Sequence, residues 1–131
     1  MKLKTLLEAN EPLKRLSEKR LASYKKMREL VKLRKAVEQE VSFYATEEKK
    51  AVDVYAEIDS NGSPIFLPDG RLRLKDADAK IAFEKEIEAL LDTDIDDIAP
   101  ISLSEVDFLC PNDLPTTNEM IALECVINFE E

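Results

Sequence analysis

The chain has 131 residues, a formal net charge of −9, 36% charged residues and no histidine. That length allows one domain with a modest core. The missing histidine removes the commonest general base and the usual zinc and iron ligands. Only short apolar runs occur, far below the length of a membrane span, and Met1-Lys-Leu-Lys with Glu8 and Glu11 close behind does not read as a secretory signal. Charge is unevenly spread. Residues 1–35 carry twelve Lys/Arg and four Glu, and residues 36–131 carry seven Lys/Arg and twenty-four Asp/Glu. One domain over 1–131 is expected, with a basic helical arm (1–35) and an acidic body (36–131).

The first segment reads as short helices. Leu3, Leu6 and Leu7 share a face, and Glu11-Pro12 predicts a break, because proline removes an amide donor and disfavours the α conformation before it. Pro12 would then open a second short helix carrying Leu13 and Leu16.

From Leu13 to Ser60 there is neither Gly nor Pro, and the pattern predicts a long central helix over about 21–58. Tyr24, Met27, Leu30, Arg34, Val37, Val41, Tyr44, Glu48, Ala51, Tyr55 and Ile58 recur at spacings of three and four, the period of a helix seam. Its size matters. About 38 residues at 1.5 Å each give roughly 57 Å, whereas a compact domain of this length spans roughly 36 Å. Two resolutions are open: a seam that meets a partner, or a helix flanked by the chain's own short helices and hairpin. The first is the preferred reading, because the seam stays partly apolar through Tyr55 and Ile58. It makes Arg34, Val37, Val41, Tyr44, Glu48, Tyr55 and Ile58 the candidate partner-binding residues, with a homo-oligomer through the long helix as one form of it.

Asp59-Ser-Asn-Gly62 reads as a helix stop. Pro64–Lys75 reads as a β-hairpin around Pro68-Asp-Gly70, with Leu72 and Leu74 on one side and Arg71, Arg73 and Lys75 on the other. Asp76 can cap a third helix, about 76–91, with Ala79, Phe83, Ile87 and Leu90 inward. Ile95, Ile101 and Leu103 suggest short strand pieces that join the hairpin. Val106, Phe108 and Leu109 are core candidates, and Cys110–Pro115 is a loop. Thr116-Thr-Asn-Glu119 is a capping box opening a C-terminal helix, about 117–128. The expected fold is thus α+β and mostly helical.

Candidate chemistry is sparse. Asp92, Asp94 and Asp96 alternate like the start of a calcium loop, but Asp97 stands where the turn glycine belongs and Leu103 where the closing Glu belongs. Cys110 and Cys125 have no metal-type spacing; one disulfide is open to them, and two reduced thiols is the preferred reading. No phosphate loop is present, because neither glycine opens a helix after a strand. No catalytic, cofactor or metal residues are assigned. Lys14, Arg15, Lys19, Arg20, Lys25, Lys26, Arg28, Lys32, Arg34 and Lys35 form an electrostatic footprint, yet an acidic chain without interleaved stacking aromatics speaks against nucleic acid. The basic surface is expected to pair with acidic surface in the same chain or a neighbouring copy. Acidity could instead mimic a phosphate array through Glu84, Glu88 and Asp92, blocking a nucleic-acid-binding host defence enzyme.

The order of Leu16-Ser-Glu-Lys-Arg-Leu21, Tyr44, Glu47-Glu-Lys-Lys50, Asp59-Ser-Asn-Gly62, Pro68-Asp-Gly70 and Phe83-Glu-Lys-Glu-Ile-Glu-Ala-Leu-Leu91, closed by an aspartate-rich strand and a short apolar helix, resembles a family of small uncharacterised proteins of tailed bacteriophages and prophages. The proline-broken start and the Cys110–Pro115 loop depart from that pattern. The resemblance implies a non-enzymatic protein that binds a phage or host protein, as a structural or assembly component or as an inhibitor. It would act in the host bacterial cytoplasm or in association with the virion, without membrane or cofactor.

Overall fold

The computed structural model describes residues 1–130. It is a mostly helical α+β protein with four α-helices among the described residues: α1 (Leu3–Ser17), α2 (Tyr24–Tyr55), α3 (Ala77–Leu91) and α4 (Thr117–Leu123). Two short strands, β1 (Ile101–Ser104) and β2 (Ile127–Glu130), form a parallel pair with Ile101 beside Ile127 and Leu103 beside Phe129. The chain divides into two compact units. Unit 1 comprises Met1–Val41 and the chain from Asp94 onward; unit 2 is Ser42–Thr93. This division does not follow the charge boundary near residue 35.

In unit 1, α1 is a single helix rather than two pieces, with Pro12 inside it. Proline within a helix costs about 3 kcal/mol through its missing donor and a clash with the preceding turn. Leu3, Leu6, Leu13 and Leu16 flank Pro12 on the buried face, and each buried leucine contributes about 2 kcal/mol. Burial on both sides of the proline therefore outweighs the lost bond, and the predicted break does not occur.

The long helix is shorter than the pattern predicts, by three residues at each end. Its start is set by Ser23, whose Oγ accepts the Lys26 amide at 3.4 Å and whose carbonyl accepts Met27 N–H at 3.0 Å. Leu21 instead forms an antiparallel bridge with Phe108, and Ala22 N–H donates to Asp107 O at 2.7 Å. Backbone groups spent on that bridge cannot begin a helix.

The strand pieces do not join the hairpin. Ile101–Ser104 pairs with Ile127–Glu130, so the C-terminal helix stops at Leu123, residues 124–126 turn, and Ile127 and Asn128, expected to complete the helix, open β2. Parallel pairing requires a crossover, here the 3₁₀ turns Glu105–Asp107 and Pro111–Asp113 followed by α4. The strand wins over the helix because Ile127 is buried opposite Ile101, in a position β-branched residues favour. Ile95 is buried beside the N-terminus: its amide donates to Met1 O at 2.7 Å, and Lys2 bridges Asp94. Of the three core candidates after β1, Phe108 is buried, while Val106 and Leu109 are exposed.

In unit 2, the helix ends when Glu57 N–H turns from the helical ladder to Arg73 O, at 2.8 Å. Asp59–Gly62 is consequently a turn between extended segments, not the helix stop. Asp59 Oδ1 accepts from the Asn61 and Ser63 amides, and Gly62 has φ +79°, a backbone that disfavours other residues. The hairpin reading is borne out around Gly70 (φ +88°), with Phe66 bridging Leu72 and Leu67 N–H donating to Arg71 O at 2.7 Å. Ala56 also bridges Leu74, and Ile58 bridges Pro64. The three extended segments thereby close on one another: Glu57 donates to Arg73, Arg73 to Ile65, and Ile65 back to Glu57, all at 2.8–2.9 Å. Helix α3 starts where expected, with Asp76 Oδ1 accepting the Ala79 amide at 2.6 Å.

Candidate functional site

The seam residues predicted for partner binding follow the inner face of α2. In unit 1, Val37 has no accessible surface and Val41 is half-buried. Arg34 donates to Ser17 Oγ and to Glu38 Oε1, each at 2.8 Å. In unit 2, Tyr44 donates its hydroxyl to Glu48 Oε2 at 2.7 Å. Burial and the adjacent carboxylate push the Tyr44 phenol up to about 12. Tyr55 meets Phe83 edge-on, with ring centroids 6.4 Å apart. Ile58 is the only seam candidate beyond the end of the helix and is exposed. Of the seam candidates, Arg34 reaches α1 through Ser17 and Tyr55 reaches α3 through Phe83, whereas Tyr44 and Glu48 bond to each other one turn apart on the same helix.

A different face of α2 stays in water. Phe43 is 63% exposed and Val54 58% exposed. Between them, Lys50 Nζ lies 3.0 Å from Glu47 Oε1. At 100° per residue, Phe43, Glu47, Lys50 and Val54 fall within an arc of about 60°, and Ala51 and Tyr55 lie about 100° round the helix. The signal was in the sequence, since these positions are spaced four, three and four. The neighbouring seam is richer in apolar residues and dominates the three-four pattern.

Unit 2 also carries an open groove of about 580 Å³ between the hairpin and α3, lined by Leu67, Leu72, Leu74 and Phe83 with Arg73 and Lys80 at its margin. Phe66 and Ile81 are exposed nearby in sequence. Arg73 is held by Glu57 at 2.9 Å and Arg71 by Asp69 at 2.6 Å. The Arg71 amide and guanidinium hold the Asp69 carboxyl below the usual carboxylate range.

In unit 1, the cations of the basic arm turn toward the acidic C-terminal segment. Lys2 lies 3.3 Å from Asp94, Arg15 3.3 Å from Glu119, and Lys19 4.0 Å from Asp113. Lys26 Nζ donates to Ser102 O at 2.7 Å, occupying the outer edge of β1. The capping box at α4 forms as expected: Glu119 N–H donates to Thr116 Oγ1 at 3.2 Å, and Thr116 N–H donates to Glu119 Oε1 at 3.1 Å. The Thr116 amide, with Arg15 behind it, holds the Glu119 carboxyl below its ordinary range. Of the footprint cations, Arg15 and Lys19 thus meet acidic residues of the C-terminal segment, and Lys26 and Arg34 meet Glu29 and Glu38 of their own helix.

Both thiols are free. Cys110 is exposed, whereas Cys125 is half-buried, and burial pushes its thiol up. Among the described residues no group of three or more acidic or thiol side chains is arranged to hold a metal. Asp94, the middle of the alternating aspartates, is engaged by Lys2. No helix among the described residues is long and apolar enough to cross a membrane. Comparison with known protein families, with curated proteins and with solved structures finds no match for the chain.

Proposed function

We propose that the protein works by protein–protein contact and not by catalysis, with unit 2 as the contacting region. One observation carries this reading. Over Ser42–Thr93 the only buried apolar side chains are those of Ala51 and Ala56, while Phe43, Val54, Ile58, Phe66 and Ile81 stand exposed. A unit of this size stabilises itself poorly without a covered apolar face. Unit 1 exposes apolar side chains as well, Tyr24, Val106, Leu109 and Ile121 among them, but over a buried core. In unit 2 they stand with no such core beneath, and exposed aromatic and aliphatic side chains of that kind mark an interaction surface. The resemblance in element order fits a phage-type structural or assembly component, or an inhibitor of a host protein.

The phosphate-mimic reading draws no comparable support. Glu84 and Glu88 stand exposed on α3, but of the aspartates that would continue the array Asp94 is engaged by Lys2, and a mimic needs its carboxylates free along one face.

The test is capture with the intact chain as bait, comparing wild type with Phe66→Ser and Ile81→Ser. The expected result is a specific partner, or self-association, that both substitutions weaken. Binding unaffected by either change would overturn the assignment to unit 2.

A further inference from the structure

We propose that the outward stripe of α2 in unit 2 is a face on which two copies of this chain pair antiparallel. This rests on the contact function above and commits one part of the surface to one occupant. A two-fold interface sets residue i against j and j against i. The stripe Phe43, Glu47, Lys50 and Val54 has that property, because its four-three-four spacing reads the same in both directions. With the axis between Glu48 and Lys49, Phe43 faces the partner's Val54, and Glu47 faces the partner's Lys50.

Charge selects a second copy over other occupants. Glu47 and Lys50 already pair within one helix at 3.0 Å. Antiparallel pairing gives each carboxylate a second ammonium and produces four charges of alternating sign. Parallel pairing would set like charge against like charge. An apolar partner helix would cover both charges without answering them, which is costly. The two apolar ends, Phe43 at 63% and Val54 at 58% exposure, lie about 16 Å apart along the axis. They bracket the charges as a hydrophobic core brackets a polar centre. One helix pair of this length covers less than the roughly 1,600 Å² of a standard interface, so the expected dissociation constant is on the order of 100 μM.

Sedimentation velocity on the intact chain, from about 10 μM to about 1 mM, spans that constant. The wild type is expected to pass from monomer to dimer across the range. Phe43→Ser and Val54→Ser should each weaken the dimer about tenfold, with circular dichroism reporting that the helix is retained. Lys50→Glu and Glu47→Lys should each weaken it at least about fivefold, because each makes the centre carry one sign of charge. The double exchange Glu47→Lys with Lys50→Glu restores alternation and should restore the dimer. Mixing the two single-charge variants should give a heterodimer tighter than either homodimer. A wild type monomeric at about 1 mM, or a dimer indifferent to Lys50→Glu, overturns the proposal. If the wild type is monomeric while capture yields a partner lost on Phe66→Ser, self-pairing fails and the contact function stands. If capture also fails, both fall.

Discussion

Unit 1 has a buried aliphatic core: Leu6, Leu13, Leu103, Leu123 and Val126 have no accessible surface, although Val31, Val106, Leu109 and Ile121 stay exposed around it. In unit 2 residues of the same kinds, Phe83, Ile87, Leu72 and Leu74 among them, stand half in solvent, and only two alanines are covered. The two units draw on similar chemistry and differ in what it encloses. Unit 1 folds two segments distant in sequence onto each other, with α1 packed on α4 and Leu21 bridged to Phe108. Each segment covers the other's apolar face. Unit 2 is one continuous stretch, a helix end, three extended segments and a second helix, and it has fewer layers with which to cover anything. Both units expose apolar side chains, and the difference lies in the buried core, which is large in unit 1 and reduced to two alanines in unit 2.

The widest separation between the units should come from core truncation. Leu13→Ala in unit 1 is expected to cost about 3 kcal/mol. Phe83→Ala in unit 2, at a half-covered site, should cost about 1 kcal/mol. Urea unfolding of the two variants measures both; equal losses would remove the distinction. Hydrogen exchange sharpens it without mutation. Amides of α3 should exchange through openings roughly ten- to a hundredfold more frequent than those of α1. Next in size, Thr116→Ala removes the side-chain acceptor at the start of α4 and should destabilise unit 1 by about 1 kcal/mol, seen as a lower thermal midpoint.

The smallest effects depend on pH. Folding lowers the Glu119 carboxyl, so its contribution is complete above the unfolded value and is lost as pH falls through the folded one. Glu119→Gln should therefore flatten the loss of stability below about pH 4.5. Tyr44 behaves in the opposite sense. Its phenol is raised, so its contribution is complete below about pH 10 and fades toward pH 12. A phenolate absorbance titration should show one step near pH 12 that Tyr44→Phe removes.

Local chemistry was easiest to read. The Thr116–Glu119 box, the Asp76 cap and the Pro68-Asp-Gly70 turn all formed as their residues dictate, because a cap or a tight turn is satisfied by neighbours within a few positions. What escaped the pattern depended on distant partners. Pro12 stays helical because leucines on both sides of it are buried. Leu21 leaves the long helix because Phe108 competes for its backbone. Ile127-Asn-Phe-Glu130 becomes a strand only because Ile101–Ser104 is there to receive it. The outward stripe of α2 escaped the pattern for a related reason. A three-four seam identifies which residues of a helix are apolar together, but not whether the chain covers that face itself. Tyr44, Glu48 and Tyr55 turned out to be engaged within unit 2, which left the weaker stripe at Phe43 and Val54 facing outward.

The circuit formed by Glu57, Ile65 and Arg73 bears on how an exposed unit avoids aggregation. A pair of strands always presents an outer edge of vacant amides and carbonyls on which a foreign strand can grow. Three segments joined head to tail have no such edge at that level. All six backbone groups of the three residues are spent within the circuit, and the Arg73–Glu57 ion pair fastens two of its members. A molecule that approaches this part of unit 2 finds side chains to grip and no backbone template to extend. Its apolar surface can thus stay open to a partner while the backbone at this level gives a foreign strand nothing to extend.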